Sequence, residues 1–276
     1  MRRRALLAVA RKDISAISSN LQVLLPMLIL PLILGIVLPG GLSWAILRFG
    51  EQSSELRDLF ELLERIPASV LTGELAQFGA LREQALFFVM NYLLAPFFLL
   101  IPLMAASTVS ADSFAGEKER GTLESLLFSP LRVDWLFSAK VLAALVPAVL
   151  LSWGTFVLTA VTVNAVGWPW LGRVFFPTLN WLPLMVLVVP LLSLAAILVN
   201  VFISARVRTF QAAYQLGGLV ILPLLVLIVG NISGLMLFST SLIIWLALGL
   251  ALVDVVLLLV LSRNLDRAAL FESQVR

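Results

Sequence analysis

The sequence predicts an all-α polytopic membrane protein: six transmembrane helices in one bundle, an N-terminal interfacial helix, and a short cytoplasmic helix between spans 2 and 3. Three observations carry this. The chain is 61% hydrophobic and 13% charged, with a mean hydropathy of +1.06, whereas soluble domains are roughly half apolar and a quarter charged. Its few charges leave long charge-free intervals, each able to supply the ~20 apolar residues that cross a bilayer. Lys and Arg also cluster on alternate connections, as expected of a chain that crosses repeatedly.

The charge-free intervals place the spans at about 21–47, 84–111, 141–166, 180–205, 209–230 and 239–262. The interval from Thr209 to Ser262 carries only Asp254 and is twice the length of one span, so it is expected to fold back near Gly230-Asn231-Ile232-Ser233-Gly234, where turn formers gather. Prolines at 26, 31, 96, 102, 147, 183, 190 and 223 lie in or near spans. There, helix packing can re-satisfy the backbone groups a proline frees, so kinked helices are expected. The runs do not alternate with period two, which disfavours a barrel. Residues 1–276 form a single transmembrane domain.

Six spans put both termini on one side. Fourteen of the 19 Lys and Arg residues fall on that side, which makes both ends cytoplasmic and the host the cytoplasmic membrane. The start, MRRRALLAVARKD, has a basic flank but too short an apolar run for a cleaved signal peptide. Leu7, Ala10, Ile14, Ile17 and Leu21 recur at helical spacing, so residues 1–20 read as an interfacial helix on anionic lipid, or as a plain extension of the first span. The external segment 48–83 contains SSELRDLFELLERIP, whose Leu56, Leu59, Phe60, Leu63 and Ile66 form one apolar stripe. Ser54 can cap it and Pro67 can end it. It reads as a helix lying on the outer face, either part of a gate or a simple lid.

Absences narrow the chemistry. The chain has no His and no Cys, which removes the usual His/Cys metal sites, thiol nucleophiles, disulfides and a Ser-His-Asp triad. No catalytic residues, metal site or nucleic-acid partner are expected. Asp254 stands inside the last span and is a candidate intramembrane polar site, with Asn91 and Asn200 beside it as polar groups in spans. Asp254 reads either as a proton or cation relay or as an interhelical hydrogen-bond partner; Asn91, Asn164 and Asn200 read first as helix glue.

The most polar internal run is SADSFAGEKERGTLESLLFSP, residues 110–130. Gly116 and Gly121 interrupt the helix leaving span 2, Thr122 is an acceptable N-cap, and Leu123, Leu126 and Leu127 share a face before Ser129-Pro130. Glu117, Glu119 and Arg120 precede it, with charges able to bond a soluble partner or simply to be solvated.

The string AGEKERGTLESLLFSP, followed by Arg132, Asp134 and Lys140, closely resembles the signature of permeases in the type-2 ATP-binding-cassette (ABC-2) family. The six spans, basic N-terminal helix and external segment agree with it. The resemblance implies a permease that pairs as a homodimer, surrounded by lipid, and works with a separate ABC ATPase subunit. It makes the short helix the coupling helix, with Glu117, Glu119, Arg120, Gly121, Thr122, Leu123, Glu124, Leu126 and Leu127 as the ATPase-coupling residues. Phe128 departs from the small residue many relatives carry there. No Gly-x4-Gly-Lys-Ser/Thr loop is present, so no cofactor is expected on this chain, and ATP and Mg belong to the partner ATPase. The resemblance further implies export, of a lipid, drug, glycan or ion. The rivals are an ATP-independent secondary transporter or channel using Asp254, and a membrane enzyme, for which Asp254 alone supplies too few groups.

Overall fold

The structure, a computed structural model, describes residues 21–50, 75, 77–119, 121, 133–204, 206–207, 209–233 and 239–264. The interfacial helix expected over 1–20, the external helix expected between Ser53 and Pro67, and all but the entry to the coupling helix lie outside the described residues. Every regular element among the described residues is helical. Five helices are long and apolar enough to cross a membrane, and a sixth candidate is a bent pair.

Helix α1 runs through Leu21–Leu32, Ile33–Val37 and Leu38–Phe49. The bent pair is α2 (Leu81–Leu93) and α3 (Ala95–Ala111), which meet at 42°. Then come α4 (Val133–Leu171), α5 (Trp181–Ser204), α6 (Phe210–Ile232) and α7 (Thr240–Asn264). Helix α3 is the hub, packed by α1, α4, α5 and α6, while α7 lies against α5. Small residues make that possible. Ala105, Ala106, Ser107, Ser110 and Ala111 are all buried on α3, and in lipid, where apolar burial gives little net drive, close backbone approach through small side chains is what holds helices together.

Proline accounts for three of the helix deformations among the described residues. Three π-turns, Ile33–Val37, Val89–Leu93 and Leu184–Val188, lie just ahead of Pro39, Pro96 and Pro190. A proline withholds its N–H from the preceding turn, and the helix widens to accommodate the ring. Each π-turn holds a carbonyl that a neighbouring helix supplies with a donor. Thr159 Oγ1 donates to Gly35 O at 2.5 Å, Asn231 Nδ2 to Tyr92 O at 3.3 Å, and Trp153 Nε1 to Met185 O at 3.0 Å. The bend between α2 and α3 therefore has a local cause, Pro96 with its π-turn.

The fold-back between α6 and α7 begins inside the turn-former cluster at 230–234. Helix α6 continues through Gly230 and Asn231 to Ile232, and Ser233 begins the turn. Asn231 is helical because its side chain has a partner in the interior: it is buried and bonded to Tyr92 O.

Helix α4 is 39 residues long, about 58 Å at ~1.5 Å per residue, nearly twice the ~30 Å hydrocarbon thickness. It is followed by Gly172 at φ 62°, a left-handed position that suits glycine after a helix. The chain then folds back so that Trp181, at the start of α5, packs among Phe98, Phe156 and Phe176, with ring centroids 4.9 to 5.6 Å away. Arg82 lies 4.5 Å from the Trp170 ring and Arg173 lies 4.3 Å from the Phe78 ring. These reciprocal cation–π contacts tie the start of α2 to the end of α4.

Candidate functional site: the junction below helix α3

At the opposite end of the bundle from Trp181, α3 runs into a fourth π-turn, Asp112–Gly116, and then the short helical stretch Glu117–Glu119. No proline accounts for this π-turn. Gly121 follows at φ 68°, and its N–H donates to Lys118 O at 3.1 Å, so the chain leaves the helix through a left-handed glycine cap.

The charges here divide between interior and surface. Glu117 is 6% exposed and Lys140, in the second turn of α4, is 1% exposed. Lys140 Nζ donates to Glu117 Oε2 at 2.5 Å and to Ser113 O at 2.6 Å. An ammonium so buried is tolerable only with a matched anion and further acceptors, and both are present. Lys140 is therefore to this π-turn what Thr159, Asn231 and Trp153 are to the other three, with a formal charge added.

Glu119 points the other way. It is exposed, and its Oε2 accepts from the backbone N–H of Phe210 at 2.8 Å. That N–H is an orphan donor in the first turn of α6, and a carboxylate there also complements the helix dipole. Thr209 completes the cap, its Oγ1 accepting from Ala212 N at 3.2 Å. One short stretch thus reaches two different helices, α4 through Glu117 and α6 through Glu119.

Of the residues assigned to ATPase coupling, Glu117, Glu119 and Gly121 are described; Arg120, Thr122, Leu123, Glu124, Leu126 and Leu127 lie outside the described residues. Glu117 faces the bundle interior and not a surface that a partner would touch. Lys140 is the functional candidate that sequence reasoning under-used. Its signal was visible, since a lone Lys opens an otherwise charge-free span.

The intramembrane polar candidates do not converge on one site. Asn91 braces backbone: Nδ2 donates to Phe87 O and Phe175 O, and Oδ1 accepts from Thr178 N at 2.9 Å. Asn164 does the same for Phe175 and Phe176, accepting both N–H groups on Oδ1. Asn200, fully buried on α5, donates to Ala196 O, while its Oδ1 has no hydrogen-bond partner among the described residues. That oxygen lies against Gly217 of α6, which has no room for a Cβ. Asp254 is 3% exposed, and neither carboxylate oxygen has a hydrogen-bond partner among the described residues. Between α3 and α6 lies a cavity of about 180 Å³, bordered by Leu103, Met104, Ser107, Tyr214, Gly217 and Ile221. Among the described residues no charged side chain lines it.

The family model for the ABC-2 family transporter protein matches residues 7–255. The chain belongs to the ABC-2 transporter family. No curated protein and no solved structure matches it. As an ABC-2 permease it is a multi-pass membrane transport subunit and not itself the catalyst, and the family in general implies an ABC ATPase partner. The match extends from before α1 into α7, so the junction and Asp254 both lie inside the matched region of this permease.

Proposed function

We propose that the chain is the permease half of an ATP-driven exporter: two copies pair in the membrane, and separate ATPase subunits are coupled to it through residues 117–129 at the cytoplasmic end, docking on the apolar residues Leu123, Leu126 and Leu127. The observation that supports this best is the exit from α3, where Glu117–Glu119, at the start of the proposed coupling segment, is bonded directly to α4 and α6. Both termini lie on that same cytoplasmic side by the Lys and Arg distribution. ATP and Mg act on the partner. Binding of ATP there shifts this bundle between access states through differential affinity for them. The cargo belongs to the classes exported by the family: lipid, drug, glycan or ion.

The test is capture of the ATPase subunit by a tagged permease from solubilised membranes. Leu126→Asp, which places a charge on the apolar face of the coupling helix, is expected to abolish capture. Undiminished capture by Leu126→Asp would remove Leu123, Leu126 and Leu127 as the docking face. Asp254 favours a second reading, an ATP-independent secondary transporter or channel, because its buried carboxyl has no hydrogen-bond partner among the described residues. In that reading Asp254→Asn abolishes transport and the unaltered permease captures no ATPase.

A further inference from the structure

We propose that the glutamates of the coupling motif are transmission residues: Glu117, through Lys140, and Glu119, through the first N–H of α6, pass movement of the docking helix to α4 and α6 together. The inference rests on the docking reading and deepens it by assigning different residues to holding the ATPase and to moving the bundle.

The geometry carries it. A residue that holds a partner needs an exposed side chain, and Glu117 is buried with its carboxylate committed to Lys140. Glu119 is exposed, but its Oε2 is occupied by the Phe210 N–H. Both bonds are to elements distant in sequence, by 23 and 91 residues. They emerge from one three-residue helical stretch that cannot displace one contact without disturbing the other.

The π-turn supplies the second argument. The three other π-turns among the described residues each precede a proline, which accounts for their widened backbone. Asp112–Gly116 has no such cause, and its Ser113 carbonyl is taken by the same Lys140 ammonium that holds Glu117. Single π-turns inside α-helices are frequent at functional sites, and Lys140 ties this one to α4 through Ser113 O as well as through Glu117. Movement of the stretch Glu117–Glu119 is therefore passed to α4 through Lys140 and to α6 through the Phe210 N–H.

The lack of cysteine in the chain makes the test clean. A single Val229→Cys near the outer end of α6 is labelled with an environment-sensitive fluorophore, and the permease is reconstituted with its ATPase subunit. ATP, Mg and orthovanadate are then added. The expected result is a fluorescence shift in this parent that is lost in Glu119→Ala and in the double variant Glu117→Met with Lys140→Met. Capture of the ATPase is expected to stay at the parent level in both. Glu119→Gln, which keeps the acceptor oxygen and loses the charge, is expected to retain the shift.

A full shift in Glu119→Ala overturns the inference, and because that variant alters an exposed side chain, the outcome does not depend on how the double variant folds. Loss of ATPase capture in Glu119→Ala also overturns it, by showing that the residue holds the partner. If the parent captures no ATPase, the docking reading fails and this inference fails with it. Leu126→Asp separates the two: it loses capture, whereas transmission variants keep capture and lose the shift.

Discussion

Replacing Gly35 with alanine tests the contact between α1 and α4. Gly35 is buried in the Ile33–Val37 π-turn, and a Cβ added there would overlap Thr155 Cγ2 and approach Thr159 Oγ1 to 3.2 Å. Relief requires α1 and α4 to separate, which also weakens the bond from Thr159 Oγ1 to Gly35 O. Overpacking by one carbon costs about 1–3 kcal/mol, and an interhelical hydrogen bond in a membrane protein contributes about 0.6 kcal/mol. The expected destabilisation is therefore about 2–3 kcal/mol. The clashing atom is one methyl, so Thr155→Ser in the Gly35→Ala background should recover most of the loss. By itself Thr155→Ser, which removes a buried methyl, should cost about 1 kcal/mol. The assay is reversible unfolding in bicelles on the four members of this double-mutant cycle. Penalties that simply add, with no coupling energy beyond about 0.5 kcal/mol, would show that the helices do not meet through this pair and would refute the reasoning.

Three further outcomes are expected. Lys140→Met, which strands the buried Glu117 carboxylate, should destabilise the fold by about 3–5 kcal/mol, while Glu117→Met with Lys140→Met should restore most of it; equilibrium unfolding of both variants checks this. Asp254→Leu should leave stability unchanged or raise it by about 1 kcal/mol, because a buried carboxyl without hydrogen-bond partners among the described residues is replaced by an apolar side chain of similar size. A loss of stability in that unfolding assay would mean the carboxyl is bonded in the protein. Asn231→Leu should cost about 1–2 kcal/mol by leaving Tyr92 O without its donor, and amide exchange should accelerate around the α2–α3 bend, where an unchanged exchange pattern would contradict the role given to Asn231.

Much of the candidate site is legible in the sequence. Gly121 reads as a helix interruption from sequence and adopts a left-handed φ of 68°. The string that resembles a coupling motif is contiguous, so it needs no tertiary information to be found. Glu117 is different. Neighbouring glutamates look alike in sequence, yet Glu117 and Glu119 lie on different faces of their short helix, one against Lys140 and the other against Phe210 N. Which of two nearby carboxylates is internal depends on where α4 and α6 pass, and no local pattern records that.

The sequence by itself determined that this is a helical membrane protein crossing several times, that prolines would deform some of its helices, and which family it resembles. Those properties follow from hydrophobic length, proline chemistry and a contiguous motif, all of which act locally along the chain. Only the tertiary structure decided which donors rescue the carbonyls of the π-turns, that Lys140 serves Ser113 and Glu117 together, and that Asp254 is buried without a hydrogen-bond partner among the described residues. The physical reason is that a hydrogen-bonding group removed from water must find its partner wherever the packing of other helices places one.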